Sequence, residues 1–444
     1  MTVTNPNRRA FVKTAAAASV ALSFPTVLSA QEEKGQLALL GGEPIRKTGF
    51  PSWPVIDQTD ETNLMDALRR KEWCRLYGNI TTTFEEQWAK MLGAKHAIGV
   101  TNGTSSLYAA LFCVDVQPGD EVILSPYTFI ATLNAVLQQY ALPVFADTDP
   151  ETFQMDATSV EERITEHTRC LLPVHIGGNV ADMGAIMAIA QKHKLAVVED
   201  ACQAHFAEWD GKKAGAIGDI GCFSFQATKI LPCGEGGAVV TSDEELWNRL
   251  HAFQNNGRDR VHGTRDGYQY QGGNLRMTEL QAAILNAQLT RFEGQVQQRV
   301  ENAAYLDHLL EDIPGIRPAK KSPGATLSTY YLYMVDYDSA EYNGISRGRY
   351  LEALRKEGIP AGGGYVPLNK EPIVEKMLNS RAYKRLYSEE RLKAYWEKNH
   401  CPNNDKVCER AFWLSHEVLE GSKDDVEQIA QAMRKVYHNR EALG

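Results

Sequence analysis

The 444-residue chain lacks three features that would place it in other classes of protein. It has no surplus of positive charge, since 47 Lys and Arg residues stand against 56 Asp and Glu residues, giving a net charge of −9. A surface of that sign does not attract nucleic acid or an anionic membrane, so neither is expected as a partner. Its eight cysteines form no CxxC pair and no His/Cys cluster with zinc spacing, so no metal site is expected. Among them, Cys401 and Cys408 alone suggest a disulfide.

The chain also lacks a hydrophobic run long enough for an ordinary membrane span, because the weakly apolar stretch at residues 14–28 is too short. This stretch follows Arg8 and Arg9 and precedes Ser29 and Ala30. Such a pattern is typical of a twin-arginine export signal. We therefore expect residues 1–30 to be a signal peptide and the mature protein to be exported, with no membrane anchor after cleavage. The alternative is a basic N-terminus that is not used as a signal, which would leave the protein in the cytoplasm.

Short apolar strands alternate with amphipathic helices from about residue 96 onward. Continuous apolar runs predict strands at residues 97–100, 121–124, 143–146, 170–174 and 196–200. Helical spacing predicts helices at residues 61–71, 104–114, 131–140, 159–166 and 183–193. This pattern indicates an α/β fold with a mostly parallel sheet that helices cover on both faces.

The alternation breaks after residue 220, where strands at 220–225 and 238–241 have no full helix between them. One or two helices are expected over residues 277–313. A compact α+β pattern follows, with a strand at 330–335 and helices at 347–356 and 426–437. We therefore predict a large domain over residues 31–300, including a polar lead-in at 31–60, and a smaller C-terminal α+β domain over residues 301–444.

Residues 101–106 lie between the end of a predicted strand and the start of a helix. Free N–H groups and the positive end of the helix dipole make such a turn an anion site. Gly103 allows close backbone approach, and the hydroxyl groups of Thr104 and Ser105 add donors. The turn is neither GxGxxG nor a Walker loop, so it does not support a dinucleotide or P-loop site. Taken alone, the pattern also fits a Thr or Ser that caps the helix.

A second polar segment, residues 199–204, follows the apolar strand that ends at Asp200. In an open parallel sheet, ligands bind beyond the carboxyl ends of the strands. A carboxylate at that position can pair with a protonated ring nitrogen of a ligand, although a helix cap or a surface acid is an equal alternative. The histidines nearby, His175 and His205, are expected to be core residues.

A single lysine, Lys229, stands in a turn of apolar and small residues after the predicted strand at 220–225. Desolvation by Phe223, Phe225, Ile230 and Leu231 would favour the neutral amine that a Schiff base requires. The alternative for any lysine is a solvated surface charge, which these apolar neighbours disfavour.

These segments, together with a glycine-rich turn at residues 272–280 that enters a long helix, resemble the DegT/StrS family of sugar aminotransferases that use pyridoxal 5′-phosphate (PLP). The resemblance runs from about residue 38 to residue 437, and the ensemble is far more specific than any one piece. Further matching residues are Phe84, Glu85, Tyr127, Thr128, Pro143, Val144, Phe145, Pro173, Val174 and the segment 365–368.

The resemblance implies a type I PLP-transferase fold and a role for individual residues. Lys229 would hold PLP as a Schiff base, and Asp200 would pair with the pyridine nitrogen. Gln203 would lie against one ring face, and Phe129 would stack on the other. The implied phosphate-binding residues are Thr104, Ser105 and Ser224, and Gly103 is a further cofactor-binding residue in the same turn as the first two.

In this family a residue of the neighbouring subunit completes the phosphate site, and Asn274 is the best match, with Arg276 close by. The resemblance therefore implies a homodimer whose active sites are shared between subunits. The turn Gly-Gly-Asn-Leu-Arg that carries Asn274 differs from the commoner Gly-Tyr-Asn-Tyr-Arg and lacks its two aromatic residues.

The implied reaction moves an amino group from glutamate or glutamine to a ketone on a sugar or cyclitol ring. Lys229 would carry the proton, and Asp200 would keep the ring nitrogen protonated. Family members normally act in the cytosol on nucleotide sugars or cyclitols, so an export signal leaves the acceptor open. The alternatives are a PLP-dependent lyase or dehydratase of the same fold and a non-catalytic binding or regulatory relic. Lysine at 229 distinguishes the chain from the family's dehydratases, in which that lysine is replaced.

Overall fold

The computed structural model describes residues 35–265 and 267–444, so the predicted signal peptide lies outside the described residues. The strands are β1 (His96–Val100), β2 (Glu121–Leu124), β3 (Leu142–Phe145), β4 (Thr168–Leu172), β5 (Ala196–Asp200), β6 (Glu208–Trp209), β7 (Lys212–Lys213), β8 (Ile220–Ser224), β9 (Gly237–Thr241), β10 (Ile316–Pro318), β11 (Ala325–Leu327), β12 (Leu332–Tyr337), β13 (Gly362–Gly363) and β14 (Ala411–Ser415). The α-helices are α1 (Gln58–Arg70), α2 (Ile80–Leu92), α3 (Gly103–Cys113), α4 (Ile130–Gln138), α5 (Ala157–Arg163), α6 (Met183–His193), α7 (Glu244–Gln254), α8 (Glu279–Leu310), α9 (Arg347–Lys356), α10 (Pro372–Leu378), α11 (Tyr383–Leu386), α12 (Glu389–Lys398), α13 (Pro402–Arg410) and α14 (Lys423–His438).

Seven strands form one large sheet in the order β1-β9-β8-β5-β4-β2-β3. Strand β9 runs antiparallel to both of its neighbours, β1 and β8. The pairs from β8 through β5, β4 and β2 to β3 are parallel. The predicted α/β fold with a mostly parallel, mixed sheet is therefore confirmed.

Helices cover both faces of this sheet, as its apolar strands predicted. Because successive side chains of a strand point to opposite faces, the neighbours Val197 and Val198 of β5 lie in different hydrophobic clusters. Val197 packs with Phe84 of α2 and Leu285 of α8, and Val198 packs with residues of α3, α4 and α7. Both valines are fully buried, so β5 forms the centre of the core and its carboxyl end is rigidly placed.

The C-terminal region contains a four-stranded antiparallel sheet in the order β10-β12-β14-β13. The predicted boundary at residue 300 falls inside α8, which is one continuous helix. Residues of its first half, such as Phe292, pack in the core of the large sheet, and residues of its second half, such as Leu306, pack with the small sheet and α14.

Two segments pack differently from the predicted domains. Leu37 of the lead-in, which we assigned to the large domain, lies in the hydrophobic cluster of the small sheet. Residues of α10 to α12, which we assigned to the small domain, pack on the large sheet through Val374, Tyr383 and Tyr395. Their apolar side chains are spaced as in any amphipathic helix, and spacing alone does not state which core they enter.

Helix α2 was not predicted, because its first turn, Ile80 to Thr83, is rich in β-branched residues with low helix propensity. A tertiary contact stabilises it: the buried carboxylate of Glu279 accepts hydrogen bonds from the N–H groups of Ile80 and Thr81 and from the Thr81 hydroxyl. Helices α7 and α10 to α13 and strand β14 were also missed. Strand β5 and helices α6 and α9 have the predicted bounds.

Within residues 35–265 and 267–444, no helix is both long and apolar enough to cross a membrane. The same residues contain no group of three or more His, Cys, Asp or Glu side chains that could hold a metal ion. All eight cysteines are free thiols, so the suggested disulfide between Cys401 and Cys408 is wrong. Each of the two is buried in apolar surroundings.

Candidate active site

The sheet topology brings three strand ends to one edge. Strands β5 and β8 are parallel neighbours, with Asp200 opposite Cys222. Strand β1 runs in the same direction as β8, since both are antiparallel to β9. A cleft of about 790 Å³ opens at this edge. Eight of the nine predicted site residues line it: Gly103, Thr104, Ser105, Phe129, Asp200, Gln203, Ser224 and Lys229.

The first turn of α3 forms one end of the cleft. Asn102 is the cap of this helix, since its side-chain oxygen accepts a hydrogen bond from the N–H of Ser105 at 2.9 Å. The alternative in which Thr104 or Ser105 caps the helix is therefore wrong. Helix geometry leaves the N–H groups of Gly103 and Thr104 without an intrahelical acceptor, and they remain available to an anion.

Gly103 is required by close packing between the two segments predicted to bind phosphate. A Cβ atom at this position would lie 2.6 Å from the Cβ of Ser224 and 3.0 Å from the Sγ of Cys202. Ser224 ends β8, and its carbonyl oxygen accepts a hydrogen bond from buried His205 at 2.7 Å. Burial lowers the pKa of His205 to about 3, so this histidine is a neutral structural residue.

Asp200 is buried, which makes the surface-acid alternative wrong. Its carboxylate accepts hydrogen bonds from the hydroxyl of Thr132 at 2.8 Å and from the N–H of Cys202 at 3.2 Å. Thr132 comes from the first turn of α4 and was not predicted, because a single threonine in a helix carries no local signal of its partner. These two donors hold the carboxylate in one orientation at the carboxyl end of β5.

Glu199, the residue before Asp200, points to the other face of the sheet and is completely buried. Its carboxylate bonds the ring of His175 at 2.8 Å and accepts hydrogen bonds from the N–H groups of Gly215, Ile217 and Gly218. Burial alone would raise the pKa of Glu199, but the hydrogen bond and charge of His175 and the backbone donors lower it overall. Glu199 is therefore an ionised structural anchor for β5.

Lys229 lies in the turn after β8, half-buried, with its Nζ atom 4.2 Å from the ring centroid of Tyr331. The neighbours Phe225, Ile230 and Leu231 are fully or almost fully buried. Lys229 is therefore not a freely solvated surface lysine, and its amine lines the same cleft as Asp200.

Gln203 and Phe129 line the cleft from different elements. The side-chain oxygen of Gln203 accepts from the N–H of Gly177 at 3.0 Å, and its amide nitrogen donates to the hydroxyl of Tyr365 at 2.9 Å. Phe129 precedes α4 and leaves 57% of its surface exposed. An exposed phenylalanine in a cleft is available to stack on a ligand ring.

Asn274, the ninth predicted residue, lies outside the lining of the cleft in its own chain, although its neighbour Leu275 lines it. Asn274 is exposed. Arg276 is half-buried and donates a hydrogen bond to the side chain of Asn255 at 3.0 Å.

Several cleft residues were missed by the sequence analysis as site residues, among them Tyr331, Tyr365 and Cys202. Tyr331 and Tyr365 come from the C-terminal region, more than 100 residues beyond Lys229, so no local pattern connects them to it. Burial, together with the charge of Asp200, raises the pKa of the Cys202 thiol well above its usual value. The thiol is therefore protonated, and a nucleophilic role for it is disfavoured.

The donor set suits PLP. Free amide groups at a helix N-terminus beside the Ser224 hydroxyl fit a phosphate group. A buried carboxylate with both of its oxygens already oriented fits a protonated pyridine nitrogen, and an amine in the same cleft fits an aldehyde.

Comparison with known proteins supports this assignment. Residues 55–434 match the model of the DegT/DnrJ/EryC1/StrS aminotransferase family. The chain is 34% identical over 430 residues to the L-glutamine:2-deoxy-scyllo-inosose aminotransferase of Streptomyces kanamyceticus, covering 93% of this chain and 99% of the relative. It is 32% identical over 394 residues to the 3-amino-5-hydroxybenzoate synthase of Amycolatopsis mediterranei, covering 86% of this chain and 96% of the relative.

A solved structure shows the same fold. The aminotransferase of Psychrobacter cryohalolentis superposes with a TM-score of 0.78 at 30% identity, covering 88% of this chain and 100% of that one. The match of family, fold and cleft confirms the type I fold and the cofactor that the sequence resemblance implied. The chain belongs to the DegT/DnrJ/EryC1/StrS aminotransferase family and is a PLP-dependent aminotransferase.

Proposed function

We propose that this enzyme transfers an amino group from glutamine to a ketone on an uncharged cyclitol ring of the inosose type. The name of the Streptomyces kanamyceticus relative contains this donor and this class of acceptor. The observation that carries the proposal is the charge of the part of the cleft that one subunit forms. Among the lining residues that the structure describes, Lys229 is the one cationic side chain, beside the acids Asp200 and Glu235.

A nucleotide-linked sugar would bring a diphosphate group into the cleft. Proteins hold such groups with arginine, lysine or a metal ion. Lys229 is already committed to the cofactor. An uncharged polyol requires hydroxyl and amide groups and an apolar surface instead, and the cleft offers these in its remaining side chains: Phe129, Gln138, Gln226, Thr228, Tyr331 and Tyr365.

Each step of the reaction has a residue suited to it. PLP supplies an electrophilic aldehyde and a ring that accepts electron density. The first turn of α3 and Ser224 would bind the phosphate, and Asp200, oriented by Thr132, would hold the ring nitrogen protonated. The Nζ atom of Lys229 would hold the cofactor at rest. When the donor amine has taken its place, Nζ would be free to accept the proton of the donor carbon and to return it. The same residues would serve in the second half of the reaction, in which the nitrogen goes to the acceptor ketone.

The acceptor can be tested by spectroscopy. The enzyme is first converted to its aminated form with glutamine and freed of donor, so that the visible band of the PLP form is lost. Inososes and nucleotide-linked ketosugars are then added separately, and return of the band is timed. We expect the uncharged inososes to restore it. Faster return with the nucleotide-linked ketosugars at equal concentration would contradict the proposal.

We further propose that the enzyme is a homodimer in which Asn274 of one subunit completes the phosphate site of the other. The exposure of Asn274 at the side of the cleft supports this, as does a patch of exposed apolar side chains on α1 and the segment after it: Met65, Leu68, Trp73, Leu76 and Tyr77. Apolar patches of this kind mark protein interfaces.

Mixed dimers test the shared site. A Lys229→Ala subunit and an Asn274→Ala subunit are each expected to form a weak or inactive homodimer. Their mixed dimer contains one site with both Lys229 and the partner's Asn274 intact. Random co-refolding of equal amounts should therefore restore about a quarter of the wild-type activity, and purified mixed dimers about half. If Asn274 acts within its own subunit, mixing restores nothing. Mixed dimers of Lys229→Ala with Arg276→Ala test in the same way whether Arg276 is the residue that completes the partner's site.

We also propose that the protein is exported by the twin-arginine route, as the sequence pattern at residues 1–30 suggests. An epitope-tagged chain and its Arg8→Lys/Arg9→Lys variant would be compared by cell fractionation. Processed protein outside the cytoplasm, lost in the double variant, is the expected result. Unprocessed wild-type protein found in the cytoplasm alone would end the proposal.

A further inference from the structure

Two side chains from distant parts of the chain bind the backbone of the turn that carries Lys229. The indole N–H of Trp53 donates a hydrogen bond to the carbonyl oxygen of Lys229 at 3.1 Å. The Nε2 atom of His416 bonds the carbonyl oxygen of Thr228 at 3.1 Å. The two rings also contact each other edge to face, with centroids 4.5 Å apart. Two adjacent carbonyls are thus held by two side chains that support one another. We call Trp53 and His416 the carbonyl clamp.

The His416 side of the clamp lies beside a buried charged pair, with Nδ1 of His416 3.9 Å from the carboxylate of Glu420. A carbonyl oxygen can only accept a hydrogen bond, so Nε2 of His416 carries the hydrogen. His416 is 1% exposed, and Glu420, one turn further along the chain, forms an ion pair with fully buried Arg299. Arg299 also donates to the carbonyl of Thr329 at 3.1 Å, two residues before Tyr331. The same charged pair therefore lies next to the clamp and binds the segment before β12 that brings Tyr331 to the amine of Lys229.

Neither clamp residue lines the cleft, and Trp53 precedes the residues that match the family model, 55–434. The clamp therefore lies outside the lining of the cleft and touches the backbone of the turn instead. The side chain of Lys229 has four rotatable bonds, so its Nζ atom reaches a fixed point reliably only if its backbone is fixed.

We propose that Trp53 and His416 are positioning residues that hold the Lys229 backbone so that its amine meets the cofactor aldehyde. This inference rests on the assignment of Lys229 as the point of cofactor attachment in the proposed function. Loss of one clamp bond should weaken the covalent attachment of PLP and leave the fold intact.

Trp53→Phe removes the donor and keeps an aromatic ring. The matched control is Trp209→Phe, because Trp209 is also half-buried and donates its indole N–H to a backbone carbonyl, that of Pro323, at 2.8 Å. Each protein is freed of PLP, titrated with PLP and reduced with borohydride, and the modified Lys229 peptide is quantified. We expect Trp53→Phe to require about two- to tenfold more PLP than Trp209→Phe for equal trapping, the size of one hydrogen bond.

A second pair of variants tests the other half of the clamp and does not depend on the folding of Trp53→Phe. Glutamine and methionine have similar shapes, but glutamine alone can donate a hydrogen bond to Thr228. His416→Gln should therefore trap PLP almost as wild type does. His416→Met should need about as much additional PLP for equal trapping as Trp53→Phe does. Thermal unfolding of the PLP-free proteins serves as the measure of a merely structural effect.

The proposal would be overturned if Trp53→Phe needed no more PLP for trapping than Trp209→Phe, and His416→Met no more than His416→Gln. Trapping losses that merely follow the unfolding temperatures of the PLP-free proteins would also overturn it. A wild-type enzyme that binds PLP and yields no trapped Lys229 peptide is a different result, because it removes the assigned role of Lys229 itself.

Discussion

The floor and the wall of the active-site cleft are built in different ways. The floor, which we define as Gly103, Asp200, Ser224 and Lys229, comes from strand ends and the turns that follow them. The wall, defined as Tyr331 and Tyr365, comes from the C-terminal region of the chain. The floor is held by the large sheet and its buried core. The wall is held by single hydrogen bonds and ring contacts, such as that between Tyr365 and Gln203. The difference suggests that the floor carries the chemistry and the wall selects the substrate.

Removal of the floor amine is the strongest test of this division. Lys229→Ala should abolish the reaction with glutamine, because the cleft would lose both the point of covalent cofactor attachment and the proton carrier. A loss of about 10²–10⁴-fold is typical for an acid–base group alone. Single-turnover loss of the visible PLP band measures it.

Lys212→Ala is the control for that experiment, since Lys212 is exposed on β7 and does not line the cleft. Turnover by Lys229→Ala equal to that of the control would falsify the role of Lys229.

Asp200→Asn should give the next largest loss. The substitution keeps the shape of the side chain and a possible bond to Thr132, but it removes the charge that would keep the ring nitrogen protonated. We expect about 10²–10³-fold slower conversion with glutamine, the range seen when one preorganised electrostatic contact is lost, and little change in the amount of PLP trapped at Lys229. A variant that converts glutamine normally would show that the ring nitrogen does not need this acid.

Glu199→Gln should damage the protein by a different route, because Glu199 supports β5 from the face away from the cleft. Breaking a buried ion pair costs about 3–5 kcal/mol in the free energy of unfolding. The pKa of Glu199 is lowered in the folded state, so its stabilising effect is present above the ordinary glutamate value and is lost as the pH falls below about 4.5. Wild type and variant should therefore differ most near pH 7 and converge in acid.

Chemical unfolding of the PLP-free proteins at pH 7 and at about pH 3, well below the ordinary glutamate value, measures this effect. Glu397→Gln is the control, since Glu397 is exposed on α12. A constant difference between wild type and Glu199→Gln at both pH values would show that the lost stability comes from packing and not from the charge.

The same division separates what the sequence could predict from what it could not. Strand β5 was predicted to its end residues, because a continuous apolar run followed by Glu199 and Asp200 is a local signal. Eight residues that were assigned from local patterns or from the family resemblance line one cleft. Tyr331, Tyr365 and Trp53 were not assigned, because their contacts with the site depend on tertiary packing between segments up to 176 residues apart. Helix α2 was not predicted for a related reason, because Glu279, about 200 residues away, stabilises its first turn.

Tyr365→Phe should have the smallest effect and is the sharpest test of the wall. It removes the hydroxyl that accepts a hydrogen bond from Gln203 at 2.9 Å, while the other end of Gln203 stays bound to Gly177. Because one neutral hydrogen bond is lost, we expect a two- to tenfold fall in kcat/KM for the acceptor, about the value of one such bond, with the glutamine half-reaction nearly unchanged. Tyr387→Phe is the control, since the Tyr387 hydroxyl donates to the carbonyl of Tyr140 away from the cleft. If Tyr365→Phe slowed the glutamine half-reaction as much as Asp200→Asn does, the wall would share in the chemistry and the division between floor and wall would not hold.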